Sequence, residues 1–385
     1  MKMISFELKK YVLKPSVLVF ELLFVFVNLV KFIEIYYYFG GGRSTSFNTS
    51  GMAKGYTELY SIYGGKITQE KIDGINAEYA EAQQKLSDRG TGDTVYDDCY
   101  SGYPFGDVGL FRDYFISGYE YAIFYSDRAE ELSAAAVENI EFFSGINKFE
   151  VRKNRLISDV FEGRYVDSYV YSDGWTKLFD YKFSTILVML MIVLTFAPVF
   201  SGERAGGFDK LIVSSGKRKA AVHAKLTTSG LFTFAATFLI FICDIIYVSI
   251  IYGLDCFDAP IYAISDYANC PFTITLFTAM LLSFAGRLIA MLFFTSLVCF
   301  VSSFGKNTAL SLFLSIASGA GLIVLSDYLP DALNPLGLAY SSHFFEKFSV
   351  ENVFGLPVFT AVTAAMFTVL LTVALNFVTL RRALK

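Results

Sequence analysis

The sequence predicts an all-α polytopic membrane protein: six transmembrane helices, an N-terminal interfacial helix, and a large, mainly helical extracellular domain between helices one and two. Three observations predict it. Six segments are apolar over bilayer length, roughly 17 to 25 residues. Charged residues make up only 18% of the chain, against roughly 25% in a typical soluble domain. The lysines and arginines outside the domain between spans one and two fall almost entirely on one side of the predicted spans.

The N-terminal segment, residues 1–15, is amphipathic. Ile4, Leu8, Tyr11 and Val12 share one helical face, with Lys2, Lys9 and Lys10 opposite. Such a helix lies in the headgroup plane, lysines towards anionic lipid. A plain positively charged tail is the simpler alternative. Pro15 suits a bend before the first span. That span, residues 16–39, exceeds the length of a signal-peptide apolar region, and Gly40-Gly41-Gly42-Arg43 is no small-x-small cleavage site. It is expected to be an uncleaved anchor.

The other spans are expected at Phe183–Ser201, Thr228–Tyr252, Thr273–Val301, Thr308–Ser326 and Leu356–Leu380. The fourth is longer than a straight crossing needs, which predicts tilt or an interfacial first turn. Lys2, Lys9, Lys10, Lys14, Arg204, Lys210, Lys217, Arg218, Lys219, Lys225, Lys306, Arg381, Arg382 and Lys385 mark one side. On the other side, Gly253–Phe272 has no Lys or Arg, and Asp327–Gly355 has only Lys347. Positive charge stays inside, so both termini are expected in the cytoplasm and the protein in the cell membrane. Residues 40–182 then lie outside, and residues 183–385 hold spans two to six.

Within the outer segment, Ile67–Leu86 reads as a helix with Thr68 as N-cap, and Arg128–Phe143 as a second, favoured by Ala134-Ala135-Ala136. Tyrosines recur at positions 56, 60, 63, 79, 96, 100, 103, 114, 119, 121 and 125. They suit packing beside the membrane interface; an aromatic surface for an amphiphilic substrate is the sharper alternative.

Several chemistries are excluded. There is no Gly-x-x-x-x-Gly-Lys-Ser/Thr, so no P-loop for ATP. No catalytic constellation and no cofactor or metal motif stands out: Cys99, Cys243, Cys256, Cys270 and Cys299 form no CxxC pair, and the histidines are His223 and His343. Cys256 and Cys270 share one short loop, which leaves a disulfide between them open. A net charge of −4 argues against a nucleic-acid binder.

The loop after the second span, residues 202–226, reads GERAGGFDKLIVSSGKRKAAVHAKL. Phe208, Leu211 and Ile212 at i, i+3, i+4 give a short helix with one apolar face, suited to a groove on a soluble partner or to the bilayer surface. Here the sequence resembles the first cytoplasmic loop of type-2 ABC exporter permeases. Glu203, Arg204, Gly206, Gly207, Leu211, Ile212, Ser214, Ser215, Arg218, Ala224 and Lys225 carry the likeness, and the order of parts along the chain is similar. The resemblance implies ATPase coupling through Glu203, Arg204, Phe208, Asp209, Leu211 and Ile212. It also implies an ABC ATPase subunit that binds the ATP, a second permease subunit, and short helices dipping back towards the membrane within Asp327–Gly355. The implied function is an ATP-driven exporter's membrane subunit moving an amphiphile outward. A non-transporting sensor or scaffold, and an ion-coupled secondary transporter, are the alternatives.

Lys31, Glu34, Asp244 and Arg287 fall inside spans. Each costs roughly 2.5–3.5 kcal/mol at a helix centre, so each should be paired or face a cavity. Lys31 and Glu34 can pair within one helix. Asp244 and Lys31 each lie about eight residues, or roughly 12 Å, below the outer ends of their spans, and Arg287 about fourteen residues, roughly 21 Å. Equal depth predicts an Asp244–Lys31 pair, with Arg287 facing a polar pathway or a backbone carbonyl.

Overall fold

The computed structural model describes residues 2–38, 50–92, 94–208, 214 and 216–384. The chain is mostly helical, and six helices are long and apolar enough to cross a membrane, the plan of a multi-pass membrane protein. Strand is confined, among the described residues, to two short antiparallel pairs.

Helix α1 (Lys2–Glu7) runs into a π-turn over Leu8–Val12. Pro15 then opens α2 (Pro15–Tyr38), the first span, since proline's fixed φ and missing N–H suit a first helical turn. A helical unit follows: α3 (Ser50–Tyr63), α4 (Gln69–Arg89), α5 (Pro104–Leu110), α6 (Ser117–Phe143), α7 (Lys148–Phe161) and α8 (Ser172–Asp180). Strands β1 (Gly65–Lys66) and β2 (Ser168–Tyr169) tie its two ends together. Thr68 caps α4 as expected, accepting from the Lys71 amide. The second expected helix begins eleven residues before Arg128, at Ser117, because a π-turn at Phe111–Ile116 joins α5 to α6 without a break.

The second span is α9 (Lys182–Phe196) continued by α10 (Pro198–Ala205). Pro198 lacks the N–H that would continue the ladder. Beside this joint the Ala197 carbonyl accepts from the hydroxyls of Ser201 (3.0 Å), Ser302 (2.7 Å) and Ser311 (2.6 Å). Next come α11 (Arg218–Ile251), α12 (Leu276–Phe304) and α13 (Thr308–Ser326). Thr275 and Asn307 cap α12 and α13. After α14 (Ser342–Glu346), strands β3 (Val350–Val353) and β4 (Leu356–Phe359) form a hairpin, and α15 (Thr360–Ala383) completes the bundle.

Several expected boundaries move. Span six begins at Thr360 and not Leu356, because Leu356–Phe359 pairs with Val350–Val353 across a turn with positive φ at Phe354 and Gly355. The loop of residues 202–226 shrinks, because α10 carries Glu203 and Arg204, and α11 already includes Lys225.

Helices α9 and α12 form the centre. Their span windows are 72% and 50% buried, against 11% for α2 and for α15 and 17% for α13. The three outer helices therefore present apolar side chains such as Leu22, Phe26, Phe313 and Leu370 outward. Such a continuous apolar exterior suits lipid and not water. The helical unit and the bundle share one core, in which Tyr56, Leu59, Phe115 and Trp175 join Phe32, Phe241, Tyr252 and Met280. None of the tyrosines at 56, 60, 63, 79, 96, 100, 103, 114, 119, 121 and 125 is exposed, so they pack and form no open aromatic surface.

The segment after α13 makes tight turns at Asp331–Leu333 and Gly337–Ala339. The second lies against α12 at Gly286, where an added Cβ would sit 2.5 Å from the Leu338 carbonyl oxygen. Gly286 is ten residues from the start of α12, or roughly 15 Å along its axis. The turn therefore reaches well into the bundle beside α12. Its buried Leu336, Leu338 and Ala339 provide the apolar cover.

Candidate functional site

Two groups of buried charges stand out, one within the spans and one at the end of the bundle where both chain ends lie.

Within the spans, Asp244 of α11 and Arg287 of α12 are completely buried. Arg287 Nη1 donates to Asp244 Oδ2 at 2.7 Å and to Ser184 Oγ of α9 at 3.0 Å. The other Asp244 oxygen accepts from Asn28 Nδ2 of α2 at 2.8 Å, and the Asn28 carbonyl oxygen accepts from Tyr181 at 3.2 Å. One connected network thus ties the first four spans together. Arg287 also lies 5.2 Å from the centre of the Phe241 ring. Its Nε and Nη2 have no partner among the described residues, which leaves the guanidinium able to bind one further acceptor.

The expected Asp244–Lys31 pair is therefore wrong. Lys31 pairs with Glu34 at 2.8 Å on the exposed side of α2, the within-helix pairing its spacing allows. Arg287 faces Asp244, and no open pathway. Two physical reasons account for the error. Helix α12 starts at Leu276, not Thr273, so Arg287 is only eleven residues below its end. The long arginine side chain spans the remaining difference in depth. Asn28 carries no charge, so the rule that intramembrane charges need partners does not single it out. Asn28 is the one amide side chain in the first span, and that is the signal that points to it.

At the other site, Glu203 of α10 sits between Lys10 and Lys225, contacting both ammonium groups. Lys225 also donates to the Val199 carbonyl at 3.1 Å. Tyr11 donates to the same carbonyl at 3.2 Å, with its hydroxyl 3.4 Å from Glu203. The π-turn explains how Lys10 arrives here and not on the opposite face with Lys9. Its wider ring, closed by Leu13 N–H to Leu8 O at 2.9 Å, turns Lys10 and Tyr11 together towards Glu203. Glu7 completes the group, buried, with Oε2 lacking any partner among the described residues. Burial raises the Glu7 carboxyl above its usual range, with Lys225 and Lys10 opposing the shift.

Arg204 points the other way. Nη1 donates to the Gly305 carbonyl at 3.0 Å and Nη2 to that of Ser303, closing the end of α12. The adjacent pair Glu203-Arg204 therefore pins α10 to the π-turn after α1, to α11 and to the end of α12 at once. Phe208, just beyond, is 58% exposed. The remaining coupling candidates Asp209, Leu211 and Ile212 lie outside the described residues.

The cysteines are free thiols. Cys270 is buried beneath Arg164, which donates to its carbonyl at 2.9 Å, and Cys256 sits 3.9 Å from the Tyr60 hydroxyl. No disulfide joins them. No group of His, Cys, Asp or Glu suited to a metal ion occurs among the described residues.

Comparison with family models, curated proteins and solved structures finds no match to this chain.

Proposed function

We propose that the chain is the membrane subunit of an ATP-driven exporter, working with a separate ATPase and a second permease subunit to move an amphiphilic substrate outward. In this reading α1 lies at the cytoplasmic interface, both termini are cytoplasmic, and the helical unit between α2 and α9 is extracellular. One observation carries it. The residues leading into the loop after the second span are anchored by Glu203 and Arg204 to three other elements, while Phe208 beside them stays exposed. A rigid base carrying an exposed apolar tip suits a partner that must push on the bundle. The exposed apolar sides of α2, α13 and α15 leave room for a second subunit or lipid. An ion-coupled transporter would need an Asp244 free to exchange a cation, whereas Arg287 and Asn28 hold both of its oxygens.

Copurification tests the proposal. Phe208→Asp combined with Ile212→Asp should leave the permease in the membrane but remove the ATPase from it. A carboxylate forced into an apolar groove costs several kcal/mol, enough to abolish a micromolar contact. Cysteines placed at Ser87 or Gly163 should react with an impermeant thiol reagent on intact cells, and one at Ser215 should not. Reversed labelling, or a nucleotide-hydrolysing partner recovered equally with the charged variant, would refute it.

A further inference from the structure

We propose that the cleft at the basic end of the bundle binds a phosphate group, carried by the headgroup of an anionic membrane lipid. The cleft has a volume of about 350 Å³; its lining holds Arg204, Arg218, Lys225 and Arg382, with Glu203 the one carboxylate among the described lining residues. That carboxylate is already neutralised, because Lys225 and Lys10 both bind it. Among the described residues, Arg218 and Arg382 then carry positive charge that no carboxylate offsets.

Arg218 and Arg382 are held in place by backbone and rings. Arg382 Nε donates to the Ser303 carbonyl at 3.3 Å, with its guanidinium 3.5 Å from the centre of the Phe304 ring. Arg218 Nη1 donates to the Leu384 carbonyl at 3.2 Å. Neither pairs with a carboxylate among the described residues. Carbonyls orient a guanidinium without cancelling its charge, and each arginine has five N–H donors in a planar fork. Most of these donors remain for a ligand. Forks fixed in place suit the tetrahedral oxygens of phosphate, which they bind in pairs of charge-assisted hydrogen bonds.

The surroundings favour lipid as the source. Leu370, Val373 and Phe377 are exposed along one side of α15 and lead towards its arginine-bearing last turn, where Arg381 covers the Phe377 ring at 4.3 Å. An acyl chain lying on that apolar strip ends at the basic last turn of α15, which carries Arg381 on the strip and Arg382 in the cleft. The cleft's size falls at the lower end of the range for small-ligand sites, roughly 300–1,000 Å³. This site is independent of the transport reading.

Native mass spectrometry of the full-length protein in neutral detergent tests the proposal, with phosphatidylglycerol and phosphatidylcholine as competing ligands. Wild type should retain the anionic lipid preferentially, and Arg218→Gln with Arg382→Gln should weaken that retention roughly tenfold. Arg112→Gln, which removes a cation in the helical unit, should change nothing. Equal retention of the two lipids together with a melting temperature raised by inorganic pyrophosphate in wild type alone would keep the phosphate site and make its source a free solute. Preferential lipid retention unaltered in the double variant, or no response to either probe, would overturn the proposal. Should the double variant aggregate, Arg218→Lys and Arg382→Lys decide, since they keep the charge and lose the fork. Several-fold weakening supports the site, and unchanged affinity overturns it.

Discussion

Removing the Asp244 carboxylate strands a buried guanidinium, and the size of that effect follows from the geometry. At 2.7 Å and an effective dielectric near 20, the Asp244–Arg287 attraction is about 6 kcal/mol before desolvation is counted. Desolvation of two fully buried ions takes back most of it, so the net value of the pair is small. Breaking it from one side is different, because the survivor keeps its desolvation cost. Asp244→Asn should therefore destabilise by roughly 3–5 kcal/mol. Arg287→Met should do likewise, while the double variant should lose much less than their sum. Asn28 sharpens the expectation: the one amide oxygen of the substituted Asn cannot replace both carboxylate oxygens, which accept separately from Asn28 and Arg287. The assay is thermal unfolding in detergent, followed by the fluorescence of Trp175, whose buried ring lies in the shared core. Coupling of roughly 2 kcal/mol or more between Asp244 and Arg287 is expected. Lys31→Met with Asp244→Asn should be additive, since Lys31 pairs with Glu34. Strict additivity for Arg287, or strong coupling to Lys31, would refute the network.

Two further outcomes are expected. Gly286→Ala places a Cβ 2.5 Å from the Leu338 carbonyl, so the turn must move away from α12; a loss of roughly 1–3 kcal/mol should appear as a lower melting temperature, and Gly230→Ala, with ample room, should be nearly silent. Glu7 has a pH signature, because its raised carboxyl binds a proton more tightly in the folded protein than in the unfolded chain. Ionised Glu7 therefore subtracts stability at neutral pH, and the loss vanishes below the unfolded value of 4.5. Glu7→Gln should melt above wild type at neutral pH and together with it well below pH 4.5; a lower melting temperature at neutral pH would show that attraction to Lys10 and Lys225 outweighs burial.

The six spans were legible because their signal is length and apolarity, which survive any arrangement of neighbours. Thr68 was legible because a cap acts within four residues. Partners were not. Depth along a helix can be counted from its ends, but which way a side chain faces around the bundle depends on packing. Asn28 and Lys31 illustrate this: three residues apart, their directions differ by roughly 60°, yet one enters the core and the other meets the exterior. The Glu203 cluster was hidden for a related reason. Lys10, Glu203 and Lys225 each read as loop or surface charges, and only the π-turn and the extended ends of α10 and α11 bring them together. Strand β4 reads as the start of span six because Leu356–Phe359 is as apolar as the helix it precedes.

The core shared between the helical unit and the bundle has a mechanical consequence. Tyr121 and Tyr125 of α6 donate to the carbonyls of Tyr262 and Ala268, and Arg164 to that of Cys270, all within the connection between α11 and α12. Trp175 of α8 donates to the Asp255 carbonyl in the same connection. The unit is thus bolted to the joint between two spans and does not swing on a tether. A load applied to α6 is delivered to α11 and α12, the helices that carry Asp244 and Arg287. Cut free of the bundle, the same unit would bare the rings that now meet Phe32, Phe241 and Met280, and would be expected to aggregate instead of standing alone in water.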